Sequence, residues 1–127
     1  MSTKKILYKI PAGTFTSFTT EAVFHYPEIR YGYERDGTIY KAGICFHGAA
    51  AVRQRAERCC KVWHIEDTYD TLVEVVDSPW VREIRDDTDE RWRDHWEMHH
   101  YMIYLESCFE IIADSWEVIS EEPGIWP

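Results

Sequence analysis

The chain has 127 residues and a mass of 15.1 kDa, which fits a single domain. Fourteen Lys and Arg against 23 Asp and Glu leave a formal net charge of −9, which argues against nucleic-acid binding, because phosphate contacts need cations. Apolar residues at 45% suffice for a core, and no apolar run reaches the ~18–20 residues of a membrane-spanning helix.

Residues 1–9 carry positive charge but no apolar stretch, since Lys9 and Pro11 interrupt it. No signal peptide is expected, so a cytoplasmic location with reduced thiols is the expectation. Of the four cysteines, Cys59 and Cys60 are neighbours that would strain a bridge, and Cys45–Cys108 is a possible pairing if their strands adjoin. One domain over 1–127 is expected, since no repeat or low-complexity linker divides the chain.

Residues 28–34 alternate in character and lead to Asp36–Gly37, a favoured two-residue hairpin turn. That turn pairs Arg35 with Thr38, Tyr33 with Tyr40, Tyr31 with Ala42 and Ile29 with Ile44. One face of the ribbon is then apolar and aromatic; the other carries Glu28, Arg30, Glu34 and Lys41. Residues 49–63 read two ways. Ala49, Val52, Ala56, Cys59 and Trp63 recur at helical steps, whereas an extended chain places Arg53, Arg55 and Glu57 on one face.

Residues 72–76 are β-rich. Ser78–Pro79 signals a helix start, with Ser as cap and Pro at the first helical position, and Trp80 and Ile84 share a face of the helix that follows. After an interruption at 86–89, a second helix over 90–97 would align Trp92 with Trp96. Residues 100–105 and 108–113 read as adjacent strands and 116–119 as a third, with a loosely ordered tail at 121–127. The expected fold is α+β: an antiparallel sheet of five to seven strands in hairpins and meanders, with two short helices at about 79–86 and 90–97.

Between residues 31 and 122 several stretches stand out: Tyr40-Lys41-Ala42-Gly43-Ile44-Cys45-Phe46, Trp63-His64-Ile65, Tyr69 to Val75 leading into Asp77-Ser78-Pro79-Trp80-Val81, and His99 to Leu105 leading into Cys108-Phe109-Glu110. In these the chain resembles a group of small bacterial proteins with no established activity. The resemblance implies a compact domain and an extended segment over 52–59, which favours the strand reading there. It implies no chemistry.

Several constellations could carry chemistry. His95 and His99 stand four apart, a metal-ligand spacing on a helix, but no third ligand has a diagnostic spacing. Cys59, Cys60 and His64, with Cys45 and His47, could supply a thiolate–imidazole nucleophile pair but lack zinc-site spacing. Arg53, Arg55, Arg58 and Lys61 with Glu57 form either a cross-strand ladder or a grip for an anion. Beyond Arg93 there is no Lys or Arg, while Asp94, Glu97, Glu106, Glu110, Asp114, Glu117, Glu121 and Glu122 follow. Of the six tryptophans, most are expected in the core, since large aromatics dominate small cores. Glu110, mid-strand, would be a general acid or base if it faced inward; simple alternation points it to solvent.

No nucleotide loop, serine-hydrolase elbow or dinucleotide fingerprint is present, which favours a binding protein over an enzyme. The first expectation is an acidic binding protein of immunity or regulatory type. It would dock a basic protein partner, with Arg53, Arg55, Glu57, Trp63, Trp80, Trp92 and Trp96 as binding residues. The alternative is a small-molecule-binding or metal-dependent enzyme. Its pocket would draw on His64, His99, His100, Glu110 and Cys59, with Arg53 or Arg55 on an anion. No cofactor, nucleic acid or membrane is expected.

Overall fold

A two-residue turn organises the first half of the molecule. Asp36 and Gly37 both take positive φ, 52° and 81°, as a tight hairpin requires. They join β3 (Glu28–Arg35) to β4 (Thr38–His47) in the predicted register, with Tyr33 opposite Tyr40 and Ile29 opposite Ile44. In this computed structural model residues 3–14 and 21–127 are described. The short β2 (Val23–His25) flanks β3, and β9 (Ser115–Pro123) flanks β4, completing a four-stranded sheet in the order β2-β3-β4-β9.

The second sheet has five strands. β1 (Thr3–Lys9), β5 (Ala51–Ala56), β6 (Thr71–Val76), β7 (His99–Tyr104) and β8 (Ser107–Ala113) run in the order β1-β6-β7-β8-β5. Both sheets are antiparallel throughout. Their free edges are β1 and β5 in one, β2 and β9 in the other. The fold of the described residues is therefore mostly antiparallel β, α+β-like, with two short helices among them: α1 (Val62–Ile65) and α2 (Pro79–Asp87).

The core lies between the sheets. Ile29, Tyr31, Tyr33, Ile44 and Phe46 meet Leu72, Tyr101, Ile103, Phe109 and Ile111, with the Phe46 and Tyr101 rings 5.7 Å apart. A second cluster occupies the other face of the five-stranded sheet: Val73, Val75, Met102, Tyr104 and Cys108, with Cys60 and Ile65 packed against it. The central strands of that sheet are thus covered on both sides, and all seven residues of β8 are buried.

Four expectations change. There are nine strands among the described residues rather than five to seven, because β1 and β2 add to those read from the sequence. The helix expected at 90–97 is a run of turns: Trp92 and His95 bond back three residues and Asp89 accepts from the Arg91 amide. Trp92 and Trp96 stay exposed, so no packing supports so short a helix. Residues 49–63 divide: β5, a 3₁₀ turn over Glu57–Cys59, then α1, so Glu57 leaves the strand and Arg53 and Arg55 alone share its face. Tryptophan is absent from the buried core of the described residues, which Ile, Tyr and Phe fill. A ring carrying an N–H sits better where a carbonyl is in reach, as Trp126 does, donating to Tyr31 O and Ala42 O at 2.9 and 2.8 Å. This places Trp126 and the end of β9 inside the stretch expected as a loose tail.

All four cysteines are free. Cys45 lies on the outer face of the four-stranded sheet and Cys108 on the outer face of the five-stranded sheet, so that pairing is ruled out by the fold. Among the described residues no helix is long and apolar enough to cross a membrane.

Candidate functional site

Pairing between β7 and β8 sets His99 opposite Ala113 and His100 opposite Ile112, so even-numbered residues of both strands share a face. Glu110 and His100 therefore project to the same side of the sheet, the side on which α2 packs. Arg53, directly opposite Glu110 on the neighbouring β5, joins them.

These side chains form a continuous polar chain. Arg53 donates through Nε and Nη2 to the two carboxylate oxygens of Glu110, at 2.9 and 3.1 Å. His100 Nε2 lies 2.8 Å from Glu110 Oε1, and His100 Nδ1 lies 2.7 Å from Ser78 Oγ. Ser78 caps α2 by accepting from the Val81 amide at 3.3 Å. In the tautomer that carries its proton on Nε2, His100 donates to Glu110 and the Ser78 hydroxyl donates to Nδ1.

Glu110 is 1% exposed and His100 3%. Burial pushes the Glu110 carboxyl up, but hydrogen bonds from His100 and Arg53 and the charge of Arg53 outweigh it and bring it down to about 2. Glu110 was expected to face solvent by alternation. That rule needs a sheet with one wet face, and here both faces of β8 are covered.

Above this floor a cleft of about 390 Å³ opens, walled by Trp63 and Trp80, floored by Val75, Ser78 and His100, with Arg53 and Glu83 at its sides. The guanidinium of Arg53 lies 4.0 Å from the centre of the Trp80 ring, and Trp80 meets His100 edge-on at 5.1 Å. Arg53 is thus fixed from two directions, while its side chain remains 47% exposed and Nη1 takes no part in the Glu110 fork. The Lys4 ammonium sits over Trp63, 4.6 Å from the ring centre, and donates to the Trp63 and Glu66 carbonyls.

A serine, an imidazole and a carboxylate in sequence resemble an activated nucleophile. Two features point elsewhere. The Arg53 fork engages both oxygens of Glu110 and offsets the charge that would stabilise an imidazolium, and Ser78 is 4% exposed with its oxygen engaged as a helix cap. What the chain does achieve is placement: it holds the Arg53 guanidinium over the Trp80 ring at the cleft.

The remaining sequence candidates scatter. His64 stands beside the cleft, where its Nδ1 accepts the Lys61 amide at 2.9 Å and its ring meets Trp63 edge-on; burial and then Arg55 lower its pKa. His99 points to the opposite side of the sheet from His100, between Glu74 at 2.8 Å and Glu97 at 3.2 Å. Burial alone would lower its pKa, but these two carboxylates raise it. His95 packs with Trp92 and Trp96 in the turns after α2, so the helix that would align it with His99 is not formed. Cys59 is exposed and, with Arg55, borders a separate depression on the other side of Arg53. Glu57 is exposed in the 3₁₀ turn. Trp92 and Trp96 stack on each other, 6.1 Å between centres, and line no part of the cleft.

The residue that sequence reasoning missed is Ser78, taken only as a helix cap; nothing in its local sequence signals that the cap also faces a histidine. No family model, curated protein or solved structure matches this chain.

Proposed function

We propose that this protein binds a small molecule with a flat apolar body and an acidic group in the cleft between Trp63 and Trp80. The observation that carries this reading is Arg53: forked onto buried Glu110, stacked on Trp80, and still presenting part of its guanidinium to the cleft. A guanidinium held in this way meets a carboxylate or phosphate without losing further side-chain freedom. The walls supply stacking surface, and a cleft of about 390 Å³ falls in the size range of small-ligand sites.

The acids that follow Arg93 support a docking face less well, because many meet local cations. Glu110 meets Arg53, Glu121 meets Arg35, Glu122 meets Lys41 and Asp94 meets Arg85. Those pairs interleave cations with half of these acids, although the chain as a whole stays at −9.

The test uses benzoate, indole-3-acetate and phenyl phosphate, with benzamide and indole-3-acetamide as neutral counterparts of the two carboxylates. Binding is followed by the tryptophan indole N–H resonances. The acids should saturably shift Trp63 and Trp80 and leave Trp92 and Trp96 in place. Each amide should bind about tenfold or more weakly than its acid, the equivalent of a charge-assisted hydrogen bond at ~1.5–3 kcal/mol. Trp63→Ala, at an exposed position, should weaken the acids without unfolding the chain. No shift from any acid, or equal binding of acid and amide, would end the proposal.

A further inference from the structure

On the far side of the molecule, the outer face of the four-stranded sheet gathers a second set of chemically active side chains. Cys45 and His47 are two apart on β4 and so share a face. Glu117 on β9 stands directly opposite Cys45. Their sulfur, ring-nitrogen and carboxylate-oxygen atoms all lie within 4.8 Å of one another, and His47 Nε2 is 3.0 Å from Glu117 Oε1.

We infer that Cys45, His47 and Glu117 form a zinc-binding site. One thiolate, one imidazole and one carboxylate are the ligand types that zinc, a borderline-soft ion, accepts together; the thiolate disfavours magnesium and calcium. Tetrahedral zinc with bonds of about 2.0–2.3 Å needs ligand atoms roughly 3.3–3.8 Å apart. The His47–Glu117 pair is already near that spacing, and the Glu117 side chain, 64% exposed, can swing to close the rest. The backbones of both strands are locked by β4–β9 pairing, so closing the site orders only side chains.

The surroundings favour a cation. Glu28 on β3 faces Cys45 from the other side, making a row Glu28–Cys45–Glu117 across three strands. The Glu117 carboxylate beside the thiol attracts a divalent ion, whose binding displaces the thiol proton. Glu28 is held by Arg30 at 2.6 Å, which offsets its charge, so it stands outside the ligand set. Three protein ligands on an open face leave the fourth position to water. The site is remote from the cleft and depends on nothing proposed for it.

The experiment is anaerobic titration of the reduced, metal-stripped, tag-free full chain with cobalt(II), followed by zinc. One equivalent of cobalt should give a thiolate-to-cobalt charge-transfer band in the near ultraviolet, and zinc should bleach it. Cys45→Ser should abolish the band, while the double variant Cys59→Ser, Cys60→Ser should keep it. His47→Asn and Glu117→Gln should each weaken binding by at least the about tenfold that loss of an outer-sphere partner costs. No band in the wild-type chain, or a band that survives Cys45→Ser or vanishes with Cys59 and Cys60, would overturn the inference. Should Cys45→Ser fail to fold, His47→Asn decides, since that side chain is half exposed; undiminished affinity would overturn the site equally.

Discussion

Glu110 lies well below the ordinary carboxylate range, at about 2 against 4.5, and the sign of that displacement fixes how the protein answers acid. A carboxyl whose folded value is depressed contributes stability that is complete above its unfolded value. That contribution drains away as pH falls from about 4.5 toward about 2. Glu110→Gln should therefore cost about 3–5 kcal/mol near neutrality, because Arg53 and His100 lose a charged partner, and should lose less than the wild type on going to acid. Urea unfolding at several pH values checks this; equal acid slopes for both chains would refute it. His99 works in the opposite sense. Glu74 and Glu97 raise it above 6.5, so its contribution is whole below that value and is lost as pH rises through its folded value. His99→Gln should flatten the fall of stability as pH rises above 6.5, read by the same urea unfolding series. That Glu110 faces inward was not legible from its neighbours. Phe109 and Ile111 look the same beside a buried carboxylate as beside a wet one, and only the packing of helices over the outer face decides.

The hairpin was readable at the level of elements because its turn and its apolar alternation demand one register. Asp36 and Gly37 supply the positive φ angles, and a one-residue slip would turn Tyr31 and Tyr33 outward. Ser78–Pro79 was readable for a similar reason, since cap and first helical residue act locally. The segment 90–97 failed because spacing four apart predicts a shared face only if the face has something to bury against. Gly43 marks a further element-level constraint, where β9 shifts register against β4. A Cβ there would come within 2.7 Å of the Ile29 carbonyl oxygen and 3.0 Å of Ile119 Cδ1. Backbone cannot step aside as a side chain does, so Gly43→Ala should destabilise by about 1–3 kcal/mol. Thermal melting checks this; an unchanged midpoint would show that the two strands yield.

The whole molecule is tied together by the layer in which both sheets bury their aromatic residues. Phe46 and Tyr101 come from different sheets and touch across it. Phe46→Ala should cost about 3–5 kcal/mol and still leave tryptophan fluorescence and far-ultraviolet circular dichroism tracing one coincident unfolding curve. Curves that separate would mean the sheets unfold independently. Arrangement at this scale, including which sheet receives β9 and what covers β8, rests on long-range contacts that no local pattern of residues encodes. The free edges carry one more consequence. β9 ends in Glu121, Glu122 and Pro123, and β5 presents Arg53 and Arg55. Two copies meeting rim to rim bring like charges together, and proline offers no amide to a visiting strand. At two of its four edges the molecule thereby resists extension by a second copy.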